Sequence, residues 1–164
     1  MRTAVLRALG IAAGIVLGLL QMSAPAAARD IDFGVRGGFY DDADAAFLGA
    51  ELLTDFYPHW FVNPNIEYVF VDNGSLFTLN GDVHYDFDTH APFAVWAGAG
   101  PAVIFSDRRP DNCPNCDRED DIDLGINLLA GIGAKRGAIR PYVQGKVVLS
   151  NDTEAVIAFG LRFY

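Results

Sequence analysis

The chain has 164 residues, of which 21 are acidic and 12 are basic, with a formal net charge of −9 at pH 7. This balance argues against a nucleic-acid-binding protein, because such proteins need Lys and Arg at the phosphates. Two cysteines are too few for a structural zinc site, and we expect neither a metal site nor a cofactor.

Residues 1–28 have the pattern of a cleaved secretory signal peptide. Two arginines precede an apolar stretch over residues 8–20, and three alanines at 26–28 offer a cleavage site. Residues 29–164 then form a single domain. No later segment has the ~18 consecutive apolar residues of a transmembrane helix, so the choice lies between a soluble exported protein and an outer-membrane barrel.

After residue 30, apolar residues alternate with polar residues or glycine in eight segments. The predicted strands are 30–40, 45–56, 60–71, 75–87, 92–106, 121–135, 139–149 and 153–164. Side chains on a strand point to opposite faces with period two, so each strand has one apolar face and one polar face. Turn residues join the segments, and only the connection from 107 to 120 is long. This pattern predicts an all-β fold, an eight-stranded antiparallel up-and-down barrel.

The distribution of charge predicts a transmembrane barrel whose apolar face points outward. No charged residue falls on the apolar face of any segment, whereas the polar face carries many glycines as well as charges. Eight strands leave just enough interior space for side chains, and glycines would make room there for long ones. Aromatic residues gather at the segment ends, as in the girdles of membrane barrels. The alternative is a soluble periplasmic lipocalin-like barrel whose inward apolar face binds a hydrophobic ligand.

The polar residues in the middle of the strands are the candidate site. In an outward-apolar barrel they would fill the lumen as one network: Arg36, Glu51, Asn65, Glu67, Asp82, His84, Asn127, Gln144 and Lys146. Buried charges are tolerated only when they are paired and hydrogen-bonded. Acids outnumber bases in this set, so we expect Arg36 to be shared between carboxylates. A proton- or cation-conducting path is the functional alternative to a filled lumen.

The long connection contains Cys113 and Cys116, spaced as Cys-Pro-Asn-Cys, among many acidic residues. No helix pattern accompanies them, which argues against a thioredoxin-like motif and predicts a disulfide that closes the loop in an oxidising compartment. The carboxylates of this loop would supply oxygen ligands for divalent cations, although their spacing does not match an EF-hand. A solvated acidic loop is the other interpretation.

The chain resembles the small eight-stranded outer-membrane β-barrels, the superfamily of the OmpA-type transmembrane domain and its adhesin-like relatives. The resemblance covers everything after the signal peptide. It rests on strand number, alternation, the Ala-Gly-Ala-Gly-Pro stretch at 97–101 and the terminal Phe163-Tyr164. It implies an outer-membrane location, contact with lipid and lipopolysaccharide, a monomer, and periplasmic termini. The implied role is in envelope integrity or surface contact.

A lipid A-modifying barrel enzyme is the remaining alternative. Deacylases of this size carry a His and a Ser two residues apart near the last strands, but Val148 stands two residues before Ser150 here. Pro64 and Pro101 lie mid-strand on the apolar face, where palmitoyltransferase-like barrels open gaps for lipid and where β-bulges are the other interpretation. We therefore predict a non-enzymatic barrel without catalytic residues.

Overall fold

The computed structural model describes residues 31–71, 74–108 and 119–164. The strands are β1 (Ile31–Tyr40), β2 (Ala45–Tyr57), β3 (Trp60–Val69), β4 (Gly74–Phe87), β5 (Phe93–Arg108), β6 (Glu119–Ala134), β7 (Ile139–Leu149) and β8 (Thr153–Phe163). Each predicted segment is a strand, and no strand end differs from its prediction by more than two residues. The signal peptide at 1–28 and the disulfide between Cys113 and Cys116 lie outside the described residues.

The eight strands close into one barrel in chain order, and all neighbours are antiparallel. β1 completes the barrel by pairing with β8, from Phe33 opposite Phe163 to Tyr40 opposite Val156. A closed sheet has no edge strand, so no strand exposes a whole row of unpaired backbone groups. Among the described residues, no helix has the length and hydropathy needed to cross a membrane. The predicted fold class is confirmed.

The two ends of the barrel differ. We call one the turn end; it holds the start of β1, the end of β8 and the connections 58–59, 88–92 and 135–138. The other is the loop end; it holds the ends of β1, β3, β5 and β7 and the described connections 41–44 and 150–152. Gly137 in the last turn-end connection has a φ of 113°, which glycine adopts without steric cost.

Strand alternation separates an apolar outer surface from a polar interior. On β6 the outward Leu124 is 75% exposed and Ile126 is 57% exposed, whereas the inward Asn127 is 0% exposed. Between the two ends, the outward positions of the described strands carry no charged residue. Such a surface is suited to contact with hydrocarbon. The outward orientation of the apolar face is confirmed, and the lipocalin-like alternative is wrong.

Outward aromatic side chains gather at both ends. At the turn end, Trp60 on β3 packs edge-on against Tyr85 on β4, with ring centroids 5.3 Å apart. At the loop end, Phe77 and Phe105 lie 6.1 Å apart. These rings occupy the places of the two girdles of membrane barrels. β6 and β7 contribute no ring to either girdle, because their single aromatic residue, Tyr142, is inward and buried.

Candidate functional site

The barrel interior is a polar layer between two apolar layers. The loop-end apolar layer consists of Tyr40, Ala45, Phe47, Val69, Ala102, Val148, Val156 and Ala158. The turn-end apolar layer consists of Trp96, Leu129 and Tyr142. The sequence analysis missed both layers, because it treated the whole inward face as polar. Their residues nevertheless continue the inward phase of the strands, so following that phase to the strand ends would have found them.

All nine predicted site residues lie in the polar layer or at its border, and all nine are buried. The prediction omitted several inward residues that bond to them. These are Asn63, Thr78 and Asn80 in the polar layer, Tyr40 and Trp96 from the apolar layers, and Arg162 at the end of β8. Each is in phase with a predicted residue of its own strand, except Trp96 on β5 and Arg162 on β8, whose strands contributed none.

Arg36 joins two carboxylates in the middle of the lumen. Its Nη1 lies 3.6 Å from Glu51 Oε2, and its Nη2 lies 3.2 Å from Glu67 Oε1. Lys146 Nζ donates to both oxygens of Glu67, at 3.0 and 2.8 Å. The Tyr40 hydroxyl donates to Glu67 as well. Arg36 is therefore shared between two acids, as expected, and four strands meet at this group of residues.

Arg162 changes the charge balance of the polar layer. Its Nε donates to Glu51 Oε1 at 2.8 Å, and its guanidinium lies 4.3 Å from the ring centroid of Tyr142 and 5.0 Å from that of Trp96. With Arg162 at the border of the polar layer, three cations (Arg36, Lys146 and Arg162) face three carboxylates (Glu51, Glu67 and Asp82) among the described residues, and a further buried carboxylate, Asp32, is paired with Arg140. The expected excess of acid in the middle of the lumen is therefore wrong.

Amide side chains surround the third carboxylate. Asp82 accepts from Asn65 Nδ2 at 2.9 Å and from Asn127 Nδ2 at 2.8 Å. Asn80 connects the two amides, because its Nδ2 donates to Asn65 and its Oδ1 accepts from Asn127. Asp82 thus has donors on both oxygens from strands β3 and β6.

His84 and Asp86 form a separate pair toward the turn end. His84 Nε2 lies 3.3 Å from Asp86 Oδ1, and the imidazole stacks on Phe61 with ring centroids 5.5 Å apart. Asp82, two residues before His84, does not join this pair, because it accepts hydrogen bonds from Asn65 and Asn127. In the part of the chain that the structure describes, no group of three or more His, Cys, Asp or Glu residues is placed to hold a metal ion.

Inward glycines leave the space that the turn-end rings occupy. A Cβ on Gly131 would lie 2.4 Å from Trp96 Cζ2, and a Cβ on Gly160 would lie 2.3 Å from Tyr142 Cε1. The outward Gly145 on β7 is different, because a Cβ there would have nothing within 4 Å.

We expect Gly131→Ala to lower the free energy of unfolding by ~1–3 kcal/mol, the usual cost of overpacking. Gly145→Ala should be neutral or slightly stabilising, since the methyl group enters open space and glycine disfavours strands. Urea titration of both variants in the same lipid vesicles measures the difference. Equal losses for the two variants would contradict the packing of Trp96 against Gly131.

Neither mid-strand proline produces a bulge. The partners on both sides of Pro64 keep one register, Glu51 with Asn65 and Thr54 with Val62, although the ladder is interrupted between them. Asn63 Nδ2 donates to the Leu52 carbonyl at 2.8 Å and so satisfies an acceptor in that gap. The β4–β5 ladder is interrupted beside Pro101 without a change of register. The bulge interpretation is therefore wrong for both prolines.

The loop-end mouth of the lumen is a cavity of about 110 Å³, lined in part by Ser106, Asp123, Ser150 and Glu154. The Ser150 hydroxyl donates to the Asp152 carbonyl at 2.7 Å. Val148, two residues before Ser150, belongs to the loop-end apolar layer. The three histidines of the chain lie on the turn-end side, in two connections and on β4 beyond Asp82. The chain thus lacks the His-Ser spacing of the deacylases.

No protein-family model and no curated protein sequence matches the chain. Several solved structures share its fold. The N-terminal β-barrel domain of OprF from Pseudomonas aeruginosa has a TM-score of 0.70 at 13% identity, over 81% of this chain and 95% of that chain. Neisserial surface protein A has a TM-score of 0.63 at 10% identity, over 81% and 94%. Ail, the attachment invasion locus protein of Yersinia pestis, has a TM-score of 0.59 at 10% identity, over 82% and 96%. The chain therefore has the fold of the small eight-stranded outer-membrane β-barrels.

Proposed function

We propose that the chain is a monomeric outer-membrane barrel, closed by its own side chains, that contributes to envelope integrity or surface contact rather than to catalysis. The outward band without charge supports membrane insertion, because a charged side chain in hydrocarbon is costly. The shared fold supports the same location. The chain's partners in this proposal are outer-membrane lipid and, around the loop end, lipopolysaccharide.

The single observation that supports the proposal of a closed lumen is the burial of the charged residues at its centre. Arg36, Glu67 and Asp82 are at most 1% exposed. A water-filled path would have to break ion pairs that join the strands, and the two apolar layers on either side would also have to separate. Eight strands leave room only for such a packed interior. The same network is the argument against the conducting alternative.

The arrangement of the histidines favours a role without catalysis. Lipid A modification needs a nucleophile or base near the outer leaflet, where the loop end would lie. In the described residues of the loop end, Ser150 bonds to a backbone carbonyl and Val148 takes the place where a deacylase has its His. Such chemistry requires a general base within hydrogen-bond reach, and all three histidines lie on the turn-end side, away from Ser150.

Planar-bilayer recording tests the closed lumen. We expect the purified barrel, folded in detergent and inserted into a bilayer, to give no steady conductance of porin size. A porin inserted into the same bilayer serves as the positive control, and slower gel migration after boiling shows that the inserted material was folded. A stable ohmic conductance that scales with inserted protein would refute the proposal of a closed barrel.

A further inference from the structure

One face of the outer surface is hollow. Two neighbouring depressions of about 700 and 530 Å³ cross β7 and β8 and extend from β6 to β1, and the second also reaches Leu48 on β2. The first is lined outward by Ala130, Gly145, Ala155 and the larger Phe39, Leu128, Val147 and Ile157, with Asp41 at its loop end. The second is lined outward by Gly37, Ile132, Pro141, Val143, Phe159 and Leu161. We call both depressions together the β7 groove; Val143 and Gly145, alternate residues of one strand face, join them.

The strand register produces the groove. Gly145 lies opposite Ala130 on β6, and the next outward residue of β7, Val147, lies opposite Ala155 on β8. These small residues form a low floor, and nothing lies within 4 Å of a Cβ built on Gly145. Leu128 and Ile157 rise beside it and are 49% and 56% exposed. Between the two ends of the barrel, the outward side chains that line the groove are apolar; Asp41 lies at its loop end.

The groove also lies where the aromatic girdles are interrupted. The outward positions of β6 and β7 are aliphatic or glycine, from Ile122 to Ala134 and from Ile139 to Leu149. Every other strand carries at least one outward aromatic residue. Aromatic rings anchor a barrel among mobile lipid headgroups. On its β1 and β8 side the groove is lined by Phe39 and Phe159, but its β6 and β7 side has no such ring and is suited to a more persistent occupant.

The turn that joins the two strands of the groove is basic. Residues 135–138 contain Lys135 and Arg136 at the turn end of the groove. Lys135 Nζ donates to the Thr89 carbonyl at 2.6 Å, which holds that ammonium group at the neighbouring 88–92 connection and leaves Arg136 as the free cation of the described turn 135–138. Arg136 is exposed. A phosphate at the height of this turn would meet positive charge directly below an apolar groove.

A lipid and a second copy of the chain are the two occupants to compare for the β7 groove, and the charges at its ends favour the lipid. Two copies inserted in the same direction and packed groove to groove would bring both basic turns together. They would also bring together the exposed Asp121 and Asp152 near the loop ends of these strands. Like charges across an interface are unfavourable. An anionic phospholipid instead complements the basic turn, and its acyl chain complements the groove.

We propose that the β7 groove is a binding site for one anionic phospholipid of the leaflet at the turn end. An acyl chain lies over Gly145 and Ala130, and the phosphate lies beside Arg136. This inference rests on the proposed membrane location and adds a specific lipid site to it.

Native mass spectrometry of the folded barrel tests the site. The protein is released from mixed micelles that contain equal amounts of phosphatidylglycerol and phosphatidylethanolamine. We expect wild-type protein to retain one phosphatidylglycerol in preference to phosphatidylethanolamine. Arg136→Gln should reduce that preference about fivefold, the effect of one basic residue at a lipid surface. Gly145→Phe should reduce retention of both lipids by filling the groove.

Ile66→Phe on β3 is the matched control, because Ile66 is outward and exposed but lies outside the groove. Its lipid retention should equal that of the wild type. Equal retention by Gly145→Phe and wild type would overturn the inference. So would a wild-type dimer that Gly145→Phe abolishes, since the groove would then bind a second copy. Each variant is first checked for insertion into vesicles. Failure of the wild type to insert would refute the membrane location as well, whereas normal insertion without lipid preference refutes only the site.

Discussion

Replacing Arg36 by methionine should lower the free energy of unfolding by ~3–5 kcal/mol, because it breaks a buried ion pair from one side. Arg36 lies between Glu51 and Glu67, and its side chain has no exposure to solvent. Methionine fills a similar volume but leaves the polar layer with two cations for three carboxylates. Glu51 keeps Arg162 and Glu67 keeps Lys146, so the uncompensated charge is spread over the whole network.

Glu51→Gln also unbalances the charges, but it should cost clearly less than Arg36→Met because glutamine keeps a hydrogen-bonding group at this position. The glutamine carbonyl can still accept from Arg162 or Asn63, which both donate to Glu51. Arg36 also keeps Glu67 as a partner. Unfolding free energies of both variants, measured by urea titration in the same lipid at neutral pH, decide the order. A larger loss for Glu51→Gln would contradict this order. It would mean that the charge of Glu51 stabilises the barrel more than the charge of Arg36 does.

The second large effect is expected on the outer surface. Leu128→Arg should cost ~2–4 kcal/mol in bilayers, the price of an arginine at the midplane of a transmembrane barrel. Leu128 is outward on β6, opposite Ala99 on β5 and Val147 on β7. Lipid surrounds this position in the proposed orientation, and the outward positions of β6 from Ile122 to Ala134 carry no acidic residue.

Ile122→Arg on the same strand is the control for depth. Ile122 is outward near the loop end, where an arginine reaches the headgroups and costs only ~0–1 kcal/mol. Urea titration of both variants in vesicles compares them directly. If Leu128→Arg proved as mild as Ile122→Arg, the band would not be surrounded by lipid.

The position and faces of the strands were predictable because the side-chain period of a strand is two. That period is local, so residues such as Leu124 and Asn127 reveal their faces without any knowledge of their neighbours. Closure into a barrel with the apolar face outward followed from the absence of charge on that face. The burial of the nine site residues followed from the same alternation.

The partners inside the lumen were not predictable in the same way. Arg162 is 111 residues from Glu51 in the chain, and it reaches that carboxylate because β8 closes the barrel beside β1. With this contact, the numbers of cations and carboxylates among the described residues around the polar layer are equal, so the expected excess of acid is absent there. The ladder beside Pro64 is another case, because Asn63 can satisfy the Leu52 carbonyl only when β2 and β3 pair in this register.

The sequence by itself therefore determined which residues form strands, which face of each strand is apolar and which residues enter the lumen, since all three depend on short-range periodicity. Only the tertiary structure decided the rest. The stacking of two apolar layers on a polar one, the sharing of Arg36 and the hollow along β7 depend on the stagger between neighbouring strands. That stagger sets the height at which each inward or outward side chain meets its neighbours, and it is a property of the closed sheet rather than of any one strand.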